Sequence, residues 1–253
     1  MAIIFSMKSK KMSVLSHILT SKNQHHPLLA LLLDPDKKID YTSLLSNLNE
    51  VDLIFVGGST GSSTETCVTT IRSYTTKPIV LFPGNIAQFT PLADALLFLT
   101  LLNARTSEVL IEPHLQVAQK VLHSGIESIP MGYILIDGAR KSSVEIATRC
   151  KPIPQDDVDT IVSAAIAGQL LGKQLIYLEA GSGALSSVAP EIIREVSSQV
   201  QLPLIVGGGI CSPEAMLRAF EAGADIVVIG NYFEQNPDEI GTFARIKREK
   251  YGE

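Results

Sequence analysis

Leu175-Ile-Tyr-Leu-Glu-Ala-Gly-Ser-Gly183 is an apolar run that stops at a carboxylate and then opens into glycine. Two later segments repeat the design: Pro203-Leu-Ile-Val-Gly-Gly-Gly209 and Ile226-Val-Val-Ile-Gly-Asn231. Short runs rich in Val, Ile and Leu fit strands buried on both faces. The glycines after them let the backbone turn sharply and bring bare N–H groups up to a ligand. Each segment alone reads more readily as an ordinary strand-to-helix turn. Repeated at about 25-residue spacing with helical sequence between, they match the way a (β/α)8 barrel builds a phosphate site from its last strands.

Working outward, five more strand-like runs precede these three: Leu28–Leu33, Leu53–Val56, Ile79–Phe82, Ala95–Leu99 and Gly132–Ile136. Helical patterns fall between most of them, at Thr42–Asn49, Thr64–Tyr74, Glu112–His123, Val158–Leu171, Pro190–Val200 and Pro213–Ala222. Ser212-Pro213-Glu214 reads as an N-cap followed by a good first turn. Only Pro83–Asp94 separates the third and fourth runs, too little for a crossover helix with its loops. The expectation is therefore an α/β fold, a TIM barrel, with that helix shortened or missing. The whole of residues 1–253 forms one domain, with 1–27 a lead-in carrying a short amphipathic helix near Ser13–Leu19. Asp137–Asp157 reads as a long loop containing Arg140, Lys141, Arg149 and Lys151.

The 253 residues suit a single barrel of about 250 residues. Net charge is −5 with no dense basic stripe, which argues against nucleic acid as a partner. Cys67, Cys150 and Cys211 have neither zinc spacing nor a disulfide framework, which points to a reducing, cytoplasmic setting. The N-terminal apolar stretch has its lysines after it rather than before, the wrong order for a secretory signal. The most apolar stretch, Ala95–Leu102, is far short of the ~20 residues that span a bilayer. Peripheral contact with a membrane surface stays open.

Barrel active sites lie at the C-terminal ends of the strands. At the end of the first strand stands Leu33-Asp34-Pro35-Asp36-Lys37, and the second ends in Val56-Gly57-Gly58-Ser59-Thr60. Asp34 and Ser59 are thus candidates to share one Mg²⁺, a cation that takes oxygen ligands and keeps waters and substrate phosphates. Asp-Pro-Asp is equally a plain solvated turn, and for Ser59 plain turn chemistry is the lesser alternative. Glu179 ends a buried-type run, so partial burial would raise its pKa and suit it as a general base. Tyr177 points the same way along the strand and is either an orienting hydroxyl or a barrel filler. Ser182 with its neighbouring amides, Gly208, Gly209, Gly230 and Asn231 are candidates to hold phosphate oxygens. Lys37, Arg140 and Lys141 are candidates to neutralise a diphosphate. No histidine ends a strand, so a histidine base or a His metal cluster has little support.

As a set, Leu33-Asp34-Pro35-Asp36-Lys37, Val56-Gly57-Gly58-Ser59, Leu81-Phe82-Pro83-Gly84-Asn85, Tyr177-Leu-Glu179-Ala-Gly-Ser-Gly183, Val206-Gly-Gly-Gly-Ile210 and Ile229-Gly230-Asn231 resemble the geranylgeranylglyceryl phosphate synthases. The resemblance runs from about residue 28 to about 235. It implies a Mg²⁺-dependent prenyltransferase that joins sn-glycerol 1-phosphate to a prenyl diphosphate as an ether. It implies Asp34 and Ser59 as metal ligands. Tyr177, Leu178, Glu179, Ala180, Gly181, Ser182 and Gly183, with Gly208, Gly209, Gly230 and Asn231, would hold the glycerol phosphate. It also implies a homo-oligomer, a C20 chain by default, and a missing third helix beside the prenyl groove. One branch of the family has Lys two residues before the first Asp; here that position is Leu32, as in the other branch. Two rival readings are another phosphate-handling barrel enzyme, an isomerase or lyase, and a non-catalytic binder of phosphometabolites or prenyl lipids. Glu179→Gln separates enzyme from binder.

Overall fold

Why eight apolar runs become one barrel follows from their two-sided burial. Each strand needs a covered face inside and another under the helices, and closure supplies both without leaving an edge. The computed structural model describes residues 12–37, 41–58 and 63–252. Its strands are β1 (Leu28–Leu33), β2 (Leu53–Val56), β3 (Ile79–Leu81), β4 (Ala95–Leu101), β5 (Glu127–Leu135), β6 (Leu175–Glu179), β7 (Leu204–Gly207) and β8 (Ile226–Ile229). They pair in parallel in sequence order, and β8 returns to β1 through Leu28–Ile226 to Leu31–Ile229.

The helices are α1 (Val14–Asn23), α2 (Tyr41–Ser46), α3 (Thr64–Arg72), α4 (Ser107–Leu110), α5 (Glu112–Ser124), α6 (Ser143–Thr148), α7 (Val158–Leu170), α8 (Pro190–Gln199), α9 (Pro213–Glu221), α10 (Asn231–Gln235) and α11 (Glu239–Tyr251). Between β3 and β4 there is only a single 3₁₀ turn, Ile86–Gln88, so the expected gap in the outer ring is present. The long loop after β5 contains α6, and both α10 and α11 lie beyond the last expected helix. Ser142 and Ser212 accept the N–H of Glu145 and Ala215 and so start α6 and α9.

Strand alternation divides the core in two. Phe55, Met131, Tyr133, Tyr177, Ile205 and Val228 fill the barrel interior, while Leu33, Val56, Ile176, Leu178, Val206 and Ile229 pack outward beneath the helices. The lead-in helix α1 closes the N-terminal end, with Val14 and Ile18 packed into the interior cluster. The Glu127 carboxylate fixes it there by accepting the N–H groups of Val14 (2.7 Å) and Leu15 (3.0 Å), where the helix dipole favours an anion. The opposite end, where the glycine loops gather, stays open. Among the described residues no helix is long and apolar enough to cross a membrane.

Candidate active site

The last residue of β6 is Glu179, and its parity follows Tyr177, so both side chains turn inward. Glu179 is 6% exposed, and burial pushes its carboxyl up to about 7. The Gly181 N–H, which donates to Oε1 at 2.6 Å, and the nearby Tyr177 hydroxyl pull the other way without cancelling it. A carboxylate poised at this value accepts a proton near neutral pH. Tyr177 lies directly beneath and is fully buried. Its hydroxyl influences Glu179 yet meets no partner with good hydrogen-bond geometry among the described residues. Its ring stacks on half-buried Phe82 at 5.3 Å and 7°, with Tyr133 also 5.3 Å away. Burial and the Glu179 charge raise both phenols, so they remain neutral donors. Tyr177 is thus a barrel filler that also touches the acid, and Tyr133 is its unexpected companion.

The glycines around the acid are dictated by space. A Cβ on Gly207 would stand 2.2 Å from the Tyr177 hydroxyl, and one on Gly208 2.5 Å from Glu179 Oε1. Gly181, Gly183, Gly208 and Gly209 all have positive φ, from +71° to +101°, a conformation that side chains with a Cβ resist. The loops after β6, β7 and β8 therefore bring bare backbone together at the open end. Asn231 begins α10, and its amide nitrogen lies 3.6 Å from where a Gly183 Cβ would be. Arg140 reaches the same place, donating to Gly183 O at 3.4 Å. Ser182 is exposed at the rim. Leu178 and Ala180 turn their side chains into the outer core, so only their backbone faces the site. A cleft of about 370 Å³ lies between α8 and α9 behind these loops, but its lining omits Glu179.

On the opposite side of the mouth, Asp34 follows β1. Its carboxylate lies against Gly58, where an added Cβ would come within 2.2 Å of Oδ1, and Oδ1 accepts the Asp36 N–H at 3.1 Å. Glu234 of α10, which the sequence reading passed over, ties this loop down. It accepts the Asp34 N–H at 3.0 Å and the Lys37 ammonium at 2.5 Å. Lys37 also donates to Asn231 Oδ1 at 2.5 Å, linking the β1 and β8 loops. Leu32 lies beside Gly230, 3.5 Å from a Cβ built there. Ser59 lies outside the described residues. Among the described residues no three His, Cys, Asp or Glu side chains cluster as a metal cage. A lone carboxylate suits Mg²⁺, which needs only one or two with water and substrate phosphates.

A family model for the PcrB family matches residues 21–247. The chain belongs to the PcrB family. Within this family it is 45% identical to the geranylgeranylglyceryl phosphate synthase of Zunongwangia profunda over 226 residues, 87% of this chain and 97% of that protein. It is 42% identical to the enzyme of the same name from Flavobacterium johnsoniae over 225 residues, 87% and 93% of the two chains. The barrel also superposes with TM-score 0.86 and 31% identity on (S)-3-O-geranylgeranylglyceryl phosphate synthase from Thermoplasma acidophilum, solved with its substrate sn-glycerol-1-phosphate. That match covers 94% of this chain and 99% of the other. An N-acetylmannosamine-6-phosphate 2-epimerase from Clostridium perfringens has TM-score 0.54 at 13% identity, a likeness of fold alone.

Proposed function

We infer that this PcrB family chain carries out the reaction of a geranylgeranylglyceryl phosphate synthase. The C3 hydroxyl of sn-glycerol 1-phosphate attacks the allylic carbon of a prenyl diphosphate, an ether forms, and diphosphate leaves. The observation that carries this reading is Glu179, a buried carboxyl poised near neutrality and ringed by glycine loops able to hold a phosphate. In this scheme the amides of Ser182, Gly183, Gly208, Gly209, Gly230 and Asn231 anchor the glycerol phosphate, with Arg140 close by, while the Gly181 N–H stays on Glu179. The anchored phosphate fixes the C3 hydroxyl beside Glu179, which takes its proton as the carbon–oxygen bond forms. Positioning of this kind supplies much of the rate.

The gap between β3 and β4 suits the prenyl chain. Phe82, Leu99, Tyr133 and Val144 line the apolar ground from the interior to α6. Asp34, with Ser59 by resemblance, would hold a magnesium ion, which when bound offsets charge on the leaving diphosphate. A cytoplasmic location is in keeping with Cys67, Cys150 and Cys211 all being free thiols. A homo-oligomer is the family expectation, and sedimentation velocity tests it.

The decisive assay measures product from each glycerol phosphate enantiomer with prenyl diphosphates of several lengths, with and without Mg²⁺. A magnesium-dependent ether from the sn-1 enantiomer alone supports the reading, and the best chain identifies the lipid. No ether from any pair would sink it.

A further inference from the structure

Asn231 and Glu234 stand three residues apart on α10 and so share one face of it. Phe233, fully buried and edge-on to the Phe243 ring at 5.0 Å, fixes the roll of that short helix and turns this face to the mouth. The Glu234 side chain is 6% exposed, and its two oxygens have separate tasks. Oε1 accepts the Asp34 N–H at 3.0 Å, which seats the carboxylate, and Oε2 accepts from the Lys37 ammonium at 2.5 Å. The same Lys37 Nζ goes on to donate to Asn231 Oδ1 at 2.5 Å. A buried acid, a lysine and an amide thus form one chain of contacts across the β1 and β8 loops.

An ammonium carries donors only, so it bonds the carbonyl end of an amide and never the NH2 end. The Asn231 side chain is thereby fixed end to end. Its Nδ2 turns to the β6 loop, 3.6 Å from where a Gly183 Cβ would stand, and Arg140 Nη1 comes within 3.7 Å of the same point. Reversed, the amide would show its oxygen to an anion held by these loops, and attraction would become repulsion. The orientation of one amide therefore decides whether Asn231 helps or opposes an anion.

We propose that Glu234 and Lys37 are positioning residues, which orient the Asn231 amide so that its NH2 end meets the phosphate of the substrate. The proposal rests on the reading of the β6, β7 and β8 loops as a glycerol phosphate site. Within it Lys37 is a spacer between carboxylate and amide, its charge answered by Glu234, and not itself an anion contact. The same carboxylate holds the backbone of Asp34, so the β1 loop supplies the fixed point from which the amide is aimed.

Calorimetric titration with sn-glycerol 1-phosphate, and with inorganic phosphate as a second probe, tests this without Mg²⁺, prenyl diphosphate or turnover. Lys37→Met and Glu234→Gln should each weaken binding roughly three- to tenfold, the cost of re-ordering one freed side chain. Glu234→Gln leaves the mouth one charge more positive, so weaker phosphate binding there reports lost order, not lost attraction. The double variant should bind no more weakly than the weaker single. In an Asn231→Ala background neither change should matter, because the chain of contacts ends at that amide. In turnover the KM for sn-glycerol 1-phosphate should rise by the same factor, and that for prenyl diphosphate should stay within twofold. Tighter binding by Glu234→Gln, a Lys37→Met loss that persists without Asn231, or a raised prenyl diphosphate KM would make Lys37 a direct anion contact and overturn the proposal. Unchanged affinity with a lowered melting temperature would overturn it in favour of a purely structural pair. A parent protein that binds neither probe would overturn the reading of the loops themselves, and the proposal with it.

Discussion

Glu179 makes the base assignment testable through stability as well as rate. Its folded pKa of about 7 lies above the 4.5 of an ordinary glutamate. The folded state therefore holds the proton more tightly. The stability linked to it is fully present below pH 4.5 and is lost as pH rises through about 7. Glu179→Gln removes that loss: above pH 7 the variant should melt higher than the parent, by on the order of 3 kcal/mol at most, and by nothing near pH 4. Turnover of the parent should climb through pH 7, and the variant should lose about 10²-fold or more in kcat. Melting curves and pH–rate profiles on the two proteins check both signs; a variant that is less stable at pH 8 would contradict the buried-acid account. A second residue-scale expectation concerns Gly207. Gly207→Ala drives a methyl into the Tyr177 hydroxyl and should cost about 1–3 kcal/mol, partly recovered by adding Tyr177→Phe. Chemical denaturation of the single and double variants measures the recovery. Glu179 was legible from the sequence because a carboxylate terminating an apolar run is rare. Tyr133 was not, because only the β5–β6 register, which sets it directly opposite Tyr177, brings the two rings together.

Elements reveal a device that residue chemistry alone does not. Asp52, Asp94 and Asp225 immediately precede β2, β4 and β8, each between apolar neighbours. Each bonds twice to one residue of the preceding strand, by its own N–H to the carbonyl and by its carboxylate to the N–H of Leu29, Ile79 or Leu204. Each is also paired with a cation, from Lys247, Arg72 or Lys22. These acids hold strand register at the closed end, where stability rather than chemistry resides. Asp225→Ala should therefore lower stability by about 1–3 kcal/mol through the orphaned Leu204 N–H, leaving kcat/KM within twofold of the parent. A thermal melt beside a steady-state assay decides it. The strand runs that carry this device were readable from their two-sided burial, and the missing β3–β4 helix from the shortness of Pro83–Asp94. The final helix α11 was not readable, because its buried stripe of Ile240, Phe243, Ala244 and Lys247 includes a lysine. Lys247 reaches Asp52 and Pro27 O, and the sequence pattern cannot show that a charge is buried for a partner about two hundred residues away. The short helices α4 and α6 lack the two or three turns that make periodicity visible.

At the scale of the whole molecule the barrel is a stabilised base and a strained, polar rim joined by eight strands. The base is closed by α1, with Ile18 2% exposed inside the interior cluster and Glu127 holding the helix start. The rim carries positive-φ glycines, an acid with a displaced pKa and Asp34 against Gly58. Groups of the second kind cost stability and are retained where chemistry needs them. If the two ends are independent, substitutions should separate along the strand axis. Ile18→Ala leaves a cavity at the base and should lose about 2–5 kcal/mol, yet its kcat, KM and magnesium dependence should match the parent at a temperature where both are folded. Asp34→Asn should do the reverse, leaving the melting temperature nearly unchanged while turnover falls at least tenfold and demands more Mg²⁺. Measured together, the pair tests more than either alone, because a barrel that transmitted strain from base to rim would lower turnover in Ile18→Ala as well. Equal loss of stability in both variants would instead make Asp34 a structural acid of the β1 loop, and the cation site would have to be sought elsewhere on the rim.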